Sequence, residues 1–403
     1  MARKKFSCDF ETTTQVEDCR VWAYGYMELW NHKNKRIGNN MEDFMAWVIK
    51  SQADLYFHNL KFDGSFIVNW LLKQGYTFDN SKHPKPLTFN AIISGMGQWY
   101  MIDICQGYNK NNKKIHTVIY DSLKKLPFTV DKVGKAFDLN VLKIKKAKEF
   151  YSRSRPVGHE IDEEEYTYIL NDIEVIARAL EIQFDQGLEK MTAGSDALSG
   201  YKATISTKMF EKLFPVFSYD LDYDLRKSYR GGFTWLNDFY VNKNIGKGIV
   251  FDVNSLYPYV MRYKPLPYGM PLYYSGEYKT DEEYPLYIAN IKFEFELKEG
   301  KIPTIQIKDK RYGYFKQNEY LKSSNYEQVD LWLTSVDWEL IQEHYTLYNI
   351  EYVEGWKFRS QTGLFNNYID KWTYIKINAP NNAIRTLAKL MLNSLYGKFG
   401  SNP

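Results

Sequence analysis

Four carboxylates near the start of the chain have the types and spacing to hold hard cations. Asp9 and Glu11 lie in the run Phe6-Ser7-Cys8-Asp9-Phe10-Glu11-Thr12. Its alternation puts Phe6, Cys8 and Phe10 on one face of a strand and both acids on the other. Asp63 follows the apolar run Leu55-Tyr56-Phe57 and is expected at a strand-to-helix transition, facing outward. Tyr168 and Asp172 are four apart in a helical pattern and share one helix face. Oxygen donors of this kind suit Mg2+, with Mn2+ as a substitute. Two such ions about 3.5–4 Å apart clamp the attacking and leaving oxygens of a phosphodiester. The Tyr168 hydroxyl is suited to hold the attacking water, and Lys143 to neutralise charge building on the phosphate. An Asp-x-Glu pair on a strand is usually a solvated face, so the expectation rests on the combination of strand, strand end and late helix. Asp9, Glu11, Asp63 and Asp172 are expected to form a nuclease centre, with Lys143 and Tyr168 as further catalytic residues.

A second set of residues lies further along. The apolar run Gly248-Ile249-Val250-Phe251 is expected to be a buried strand ending at Asp252. An acid at such an end can hold a metal ion in a cleft, and Val253 can add its backbone carbonyl. Tyr257, shortly after Ser255, can lie flat under a sugar and reject a 2′-hydroxyl, which selects deoxynucleotides. In the last helical pattern Arg385, Lys389, Asn393, Tyr396 and Gly397 fall on one face, with Leu387, Leu390, Met391 and Leu395 on the other. Residues 365–403 carry five basic side chains and one acid, Asp370, a balance suited to a triphosphate. The alternation Asp220, Asp222, Asp224 is expected in a solvated loop or edge.

Strands that position the first set are expected at 6–12, 20–27, 53–57, 99–105 and 115–120, with helices at 41–50, 63–73 and 162–190. That mixture is an α/β domain. A helical connector is expected over 191–230, ending in Tyr229-Arg230-Gly231-Gly232, then a strand at 285–297 and a helix around 336–345. Ala379-Pro380-Asn381-Asn382 splits the last segment into two helices. At 403 residues the chain exceeds one compact core, and 44% hydrophobic content excludes disorder. A net charge of +4 is weak evidence for nucleic acid, whereas 34 tyrosines offer faces for stacking on bases. Cys8, Cys19 and Cys105 lack metal-binding spacing and imply a reducing compartment. No apolar signal core or bilayer-length run occurs, so a cytoplasmic protein with no membrane partner is expected.

Ser7-Cys8-Asp9-Phe10-Glu11-Thr12-Thr13, Tyr56-Phe57-His58-Asn59-Leu60-Lys61-Phe62-Asp63-Gly64 and Tyr168-xxx-Asp172 resemble the three exonuclease motifs of protein-primed family B DNA polymerases of phage phi-29 type. Asp252-Val253-Asn254-Ser255-Leu256-Tyr257-Pro258 resembles their motif A, and Lys389-xxx-Asn393-Ser394-Leu395-Tyr396-Gly397 their motif B. The resemblance implies an RNase H-like 3′→5′ exonuclease domain over 1–190 and a linker with partial palm over 191–300. It also implies a terminal-protein-contacting α+β insertion over 301–364, marked by Ile302-Pro303-Thr304-Ile305-Gln306-Ile307-Lys308, and a fingers helix pair over 365–403. In that family Mg2+ ions are held, two per site, by Asp9, Glu11, Asp63 and Asp172, and by Asp252 and Val253. Thr12, Asn59, Phe62, Ser122 and Leu123 would grip the single-stranded primer end. Tyr56, His58 and Phe66 would contact single-stranded DNA or the priming protein. Tyr257, Lys376, Arg385, Lys389 and Asn393 would hold the deoxynucleoside triphosphate. Tyr229, Gly231, Gly232, Ser255, Tyr396 and Gly397 would contact primer-template. Arg385 stands where a Lys is usual, and Ile144-Lys145-Lys146-Ala147-Lys148 departs from the acidic residues of close relatives.

The family continues into a hairpin bearing Asp-Thr-Asp and a thumb, and no Asp-Thr-Asp occurs in this sequence. The chain is therefore expected to be a monomeric piece of a viral replication polymerase. Its exonuclease would be competent and its polymerase not. The alternatives are a non-catalytic module binding DNA or terminal protein, and one half of a split polymerase.

Overall fold

The alternating run at the start of the chain forms a strand, β1 (Lys5–Thr12), in the computed structural model, which describes residues 3–15, 17–307 and 319–401. There follow β2 (Val21–Glu28), β3 (Lys35–Gly38), α1 (Met41–Ser51), β4 (Asp54–Phe57), α2 (Leu60–Lys73), β5 (Thr77–Phe78), β6 (Thr88–Ile93), β7 (Trp99–Tyr108) and β8 (Lys114–Asp121). These strands make one mixed sheet in the order β3-β2-β1-β4-β8-β7-β6-β5. β1 pairs antiparallel with β2 and parallel with β4, which itself runs parallel to β8. Parallel neighbours need a crossover, and the one from β1 to β4 includes α1.

The chain divides into two units, residues 1–200 with 370–403, and residues 201–369. In the first, Phe6, Cys8 and Phe10 of β1 pack with Phe44, Met45 and Val48 of α1 and with Leu60, Ile67 and Leu71 of α2. The other sheet face is reached after α3 (Val130–Ala136) and α4 (Lys148–Tyr151) by the long helix α5 (Glu163–Asp185). Asp162 and Glu165 close a capping box that fixes where α5 begins. Tyr168 and Ile169 pack with Trp22, Ala23 and Phe150. A Cβ on Gly25 would stand 2.8 Å from Ile169 Cγ2, so the bare backbone there lets α5 lie close to β2. Helix α6 (Ala193–Lys202) is tied back by a buried ion pair, Lys125 to Asp196 at 2.6 Å. Lys125 also donates to the carbonyls of Leu188 and Lys190.

The connector continues through α7 (Thr207–Leu213) and α8 (Tyr219–Lys227). Asp220, Asp222 and Asp224 belong to α8, not to a loop or strand edge. Ser218 caps that helix, and Asp222 and Asp224 pair with Arg226 and Lys227 one turn on. After α9 (Leu256–Tyr263) come β9 (Leu266–Ser275), β10 (Leu286–Leu297), β11 (Val329–Thr334), α10 (Ser335–His344) and β12 (Tyr345–Gln361). Their antiparallel sheet has the order β11-β10-β12-β9. Ile291, Phe293, Phe295, Leu331, Leu333, Trp338 and Ile341 make its core, joined by Ile305 and Ile307 from the expected insertion. Lys308 lies outside the described residues.

The strand expected at 248–252 does not form. Ile249, Val250 and Phe251 are 80%, 96% and 87% exposed, and no described strand pairs with them. Apolar β-branched residues favour a strand only when a neighbour takes up its backbone donors and acceptors. Without one, water serves the backbone as well. The last two helices, α11 (Asn366–Ile377) and α12 (Asn382–Phe399), are separated where Pro380 and the paired Asn residues predict. No described helix is long and apolar enough to cross a membrane.

Candidate active site

β1 turns Asp9 and Glu11 away from the core and toward α5, which presents Tyr168 and Asp172. Oxygens of Asp9, Glu11 and Asp172 lie within 4.8 Å of one another. Among the described residues this is the one group of three or more ligating side chains close enough to hold a single ion. Asp63 comes from the first turn of α2 and is 4% exposed. The strand-to-helix transition expected there forms, but the outward orientation does not. Asn59, in the left-handed region at φ 75°, turns β4 directly into α2 and leaves the acid buried. The Phe10 backbone N–H donates to the Asp63 carboxylate, and the charges of Asp9 and Glu11 act on it.

Burial and the neighbouring Asp172 push Asp9 up to about 7, with Lys143 pulling the other way. Burial and then Asp9 hold both Glu11 and Asp63 well above the usual carboxylate range. Asp172 is raised by burial, which its ion pair with Lys143 offsets only in part. Burial works against the Lys143 ammonium, but Asp172, Asp9 and Glu11 outweigh it and raise its pKa. Lys143 also lies 5.5 Å from the centre of the Tyr168 ring. Crowded acids of this kind are relieved by a cation. Asp172 Oδ1 is buried with no hydrogen-bond partner, which leaves it ready for one. The donor set is all oxygen, as Mg2+ or Mn2+ requires.

The residues that the resemblance assigns to the single-stranded end differ in exposure. Phe62 is 48% exposed and meets the half-buried Phe66 edge to face at 5.7 Å. Thr12 and Leu123 are half-buried and Asn59 is exposed. Tyr56 is buried, stacked on Tyr120 at 5.3 Å, so it presents no ring to solvent. Ser122 is likewise buried, donating to the Phe57 carbonyl and meeting His58 Nδ1 at 3.0 Å. His58 Nε2 meets the Phe128 carbonyl at 2.7 Å, and burial lowers the pKa of that imidazole.

Three further positioning residues are found here. Asp121 Oδ1 accepts both the Asn59 N–H and the Leu123 N–H at 3.0 Å, so one buried carboxylate fixes two segments beside the acids. Its signal was local, an Asp capping the turn Ser122-Leu123-Lys124. Arg155, paired with Glu165 at 2.7 Å and stacked on Trp22, anchors the segment ahead of α5. Tyr151 shares a hydrogen bond with Tyr168. No local pattern marks either residue.

The second set is not gathered in the same way. Asp252, Val253 and Tyr257 are exposed, and Ser255 adopts φ 55° before α9. No described carboxylates join Asp252 in a metal-sized group. On α12, Arg385, Lys389, Asn393, Tyr396 and Gly397 are exposed while Leu387, Leu390, Met391 and Leu395 are buried. Lys376 is half-buried on α11. Tyr229 is exposed, a Cβ on Gly231 or Gly232 would meet open space, and Arg230, between Tyr229 and Gly231, donates to the carbonyls of Gln306 and Trp332.

Comparison with known proteins bears on both sets. Residues 45–403 match the family described as DNA polymerase type B, organellar and viral. The DNA polymerase of Bacillus phage M2 is 64% identical over all of this chain, which spans 69% of that protein. The solved structure of phi29 DNA polymerase complexed with single-stranded DNA superposes with a TM-score of 0.94 at 60% identity, covering 100% of this chain and 68% of that one. A phi29 complex with primer-template DNA and incoming nucleotide gives a TM-score of 0.91 at 61% identity, covering 100% and 69%.

Proposed function

This chain belongs to the organellar and viral type B DNA polymerases, of the phi29 type, and we propose that residues 1–190 are a 3′→5′ exonuclease acting on single-stranded 3′ ends during viral DNA replication. The observation that carries the proposal is the meeting of Asp9, Glu11 and Asp172 within 4.8 Å, with Asp63 buried beside them. Mg2+ bound there, as two ions, supplies an activated water and charge stabilisation at the leaving oxygen. Asp9, Glu11, Asp63 and Asp172 hold the ions. The Tyr168 hydroxyl orients the water, and Lys143 offsets charge on the phosphate. Thr12, Asn59, Phe62, Phe66 and Leu123 grip the terminal nucleotides.

The remaining assignments follow the family. Residues 191–300 make the linker and part of the palm, 301–364 the insertion that meets a protein primer, and 365–403 the fingers. Tyr257, Lys376, Arg385, Lys389 and Asn393 hold a deoxynucleoside triphosphate, and Tyr229, Gly231, Gly232, Ser255, Tyr396 and Gly397 meet primer-template. A phi29 relative is solved with those two ligands, which supports these roles. Assayed by themselves, the described residues are inferred to degrade DNA without incorporating nucleotides. Asp252 is exposed and belongs to no metal-sized cluster of described residues.

The test is degradation of 5′-labelled single-stranded DNA with Mg2+. Replacing Asp9→Ala and Asp63→Ala together should lower the rate by at least about a thousandfold, as loss of metal-borne catalysis does. Undiminished degradation by the double variant would reject the nuclease, and template-directed extension by the unmodified chain would reject the polymerase-silent part.

A further inference from the structure

A groove of about 520 Å3 lies beside the carboxylates, with His58, Asn59, Leu123, Phe128, Lys143 and Lys145 on its walls. His58, Val130 and Lys143 also line a cavity of about 160 Å3 that reaches Asp9 and Asp172, so the groove leads into the acid cluster. The segment carrying Lys143 and Lys145 is clamped on either side of Lys145. Lys143 is paired with Asp172, and Ile144 packs on the cluster of Trp22, Phe150 and Tyr168. Lys146 is drawn away to Glu164 at 2.8 Å and lies over the Phe150 ring. Between these anchors Lys145 is exposed and has no hydrogen bond or ion pair among the described residues. Its charge reaches Asp131, which also lines the groove, but Asp131 is already paired with Lys135 at 2.9 Å.

We infer that Lys145 binds the backbone phosphate one linkage to the 5′ side of the bond that is cut, which makes the groove the track for the single strand. This rests on the exonuclease proposed above. Two residues along the chain span at most about 7 Å, on the order of one nucleotide step, so Lys143 at the reacting phosphate places Lys145 near its neighbour. An ammonium on a flexible stem in a groove wall is suited to a phosphate oxygen and indifferent to the base. Lys145 is thus a positioning residue that sets affinity for the strand, not the rate of cleavage.

The experiment compares Lys145→Ala with Lys148→Ala, which removes an equal charge from an exposed position outside the groove. Fluorescence anisotropy of a labelled oligothymidine in EDTA reads binding without hydrolysis. Lys145→Ala should weaken binding about fivefold and lower the slope of log affinity on log salt by about 0.7, the value for one phosphate contact on a single strand. A methylphosphonate at the second linkage from the 3′ end should cost the unmodified protein about the same factor and cost Lys145→Ala little. In Mg2+, KM for the oligonucleotide should rise about fivefold with kcat changed by less than about twofold. Equal behaviour of the two lysine variants, or equal methylphosphonate penalties in the unmodified protein and Lys145→Ala, overturns the contact. If no form of the protein degrades DNA, the exonuclease fails, yet the anisotropy comparison still decides the phosphate contact.

Discussion

Tyr168 joins packing and chemistry in one side chain, and the two can be separated. Its ring lies 5.0 Å from that of Phe150 and carries the Lys143 ammonium over its face. Its hydroxyl meets Tyr151 and feels the charge of Glu11, and burial first, then Glu11, holds the phenol well above its ordinary pKa. The hydroxyl therefore stays protonated at working pH. It can orient a water but cannot act as a base. Tyr168→Phe keeps the ring and removes only the polar tip. Single-turnover degradation of single-stranded DNA should slow by about 10- to 100-fold with little change in melting temperature. A drop in melting temperature with unchanged cleavage would instead make the hydroxyl a structural group. The same contrast between visible chemistry and actual surroundings holds for Tyr56 and Ser122. Both are buried, so whatever they contribute at the strand passes through the segments they hold in place.

Helix α5 brings Tyr168 and Asp172 to β1 only because β2 is bare at Gly25. A methyl there would meet Ile169 at 2.8 Å, closer than packed carbons allow, so helix and sheet must separate or the isoleucine must leave its rotamer. Gly25→Ala should cost about 1–3 kcal/mol of stability, read by denaturant midpoint, and should weaken exonuclease activity more than it weakens binding of single-stranded DNA. Retained activity in a destabilised protein would mean that α5 adjusts without moving its acids. The elements themselves were largely legible. Alternation gave the faces of β1, four-residue spacing gave the shared face of Tyr168 and Asp172, and the apolar stripe gave the buried side of α12. What local pattern could not give was anything decided by a distant partner. The run 248–252 has strand chemistry but finds no pairing strand among the described residues. Asp63 reads as an outward-facing residue at a strand-to-helix transition until the left-handed turn at Asn59 folds it inward. Asp121 shows a local cap, but its bond to the Asn59 N–H is remote in sequence, and the Arg155 pair with Glu165 is invisible to periodicity.

Across the whole molecule, 53 basic and 49 acidic residues nearly cancel, yet the charges are segregated. The cluster of Asp9, Glu11, Asp63 and Asp172 concentrates carboxylates where burial resists their ionisation, whereas α12 exposes cations along one face. The concentrated acids make stability depend on pH and on metal in opposite senses. Asp9 is raised from 3.8 to about 7, so the folded, metal-free protein holds this proton more tightly than the unfolded chain does. Its stabilising contribution is fully present below about pH 4 and is lost as pH rises through about 7. Glu11 and Asp63 are raised as well and add to that loss at the alkaline end. In EDTA the melting temperature should therefore fall between pH 5 and 8, by on the order of 5 °C. Asp9→Asn, which cannot ionise, should flatten the profile. Millimolar Mg2+ should reverse the slope, because a cation binds only the deprotonated cluster and its affinity grows as the same protons leave. Calorimetry across that range, with and without Mg2+, tests the arrangement without any substrate. A profile for Asp9→Asn that matches the unmodified protein, or a melting temperature unmoved by Mg2+ at pH 8, would show that the raised carboxylates and the metal site are not one and the same.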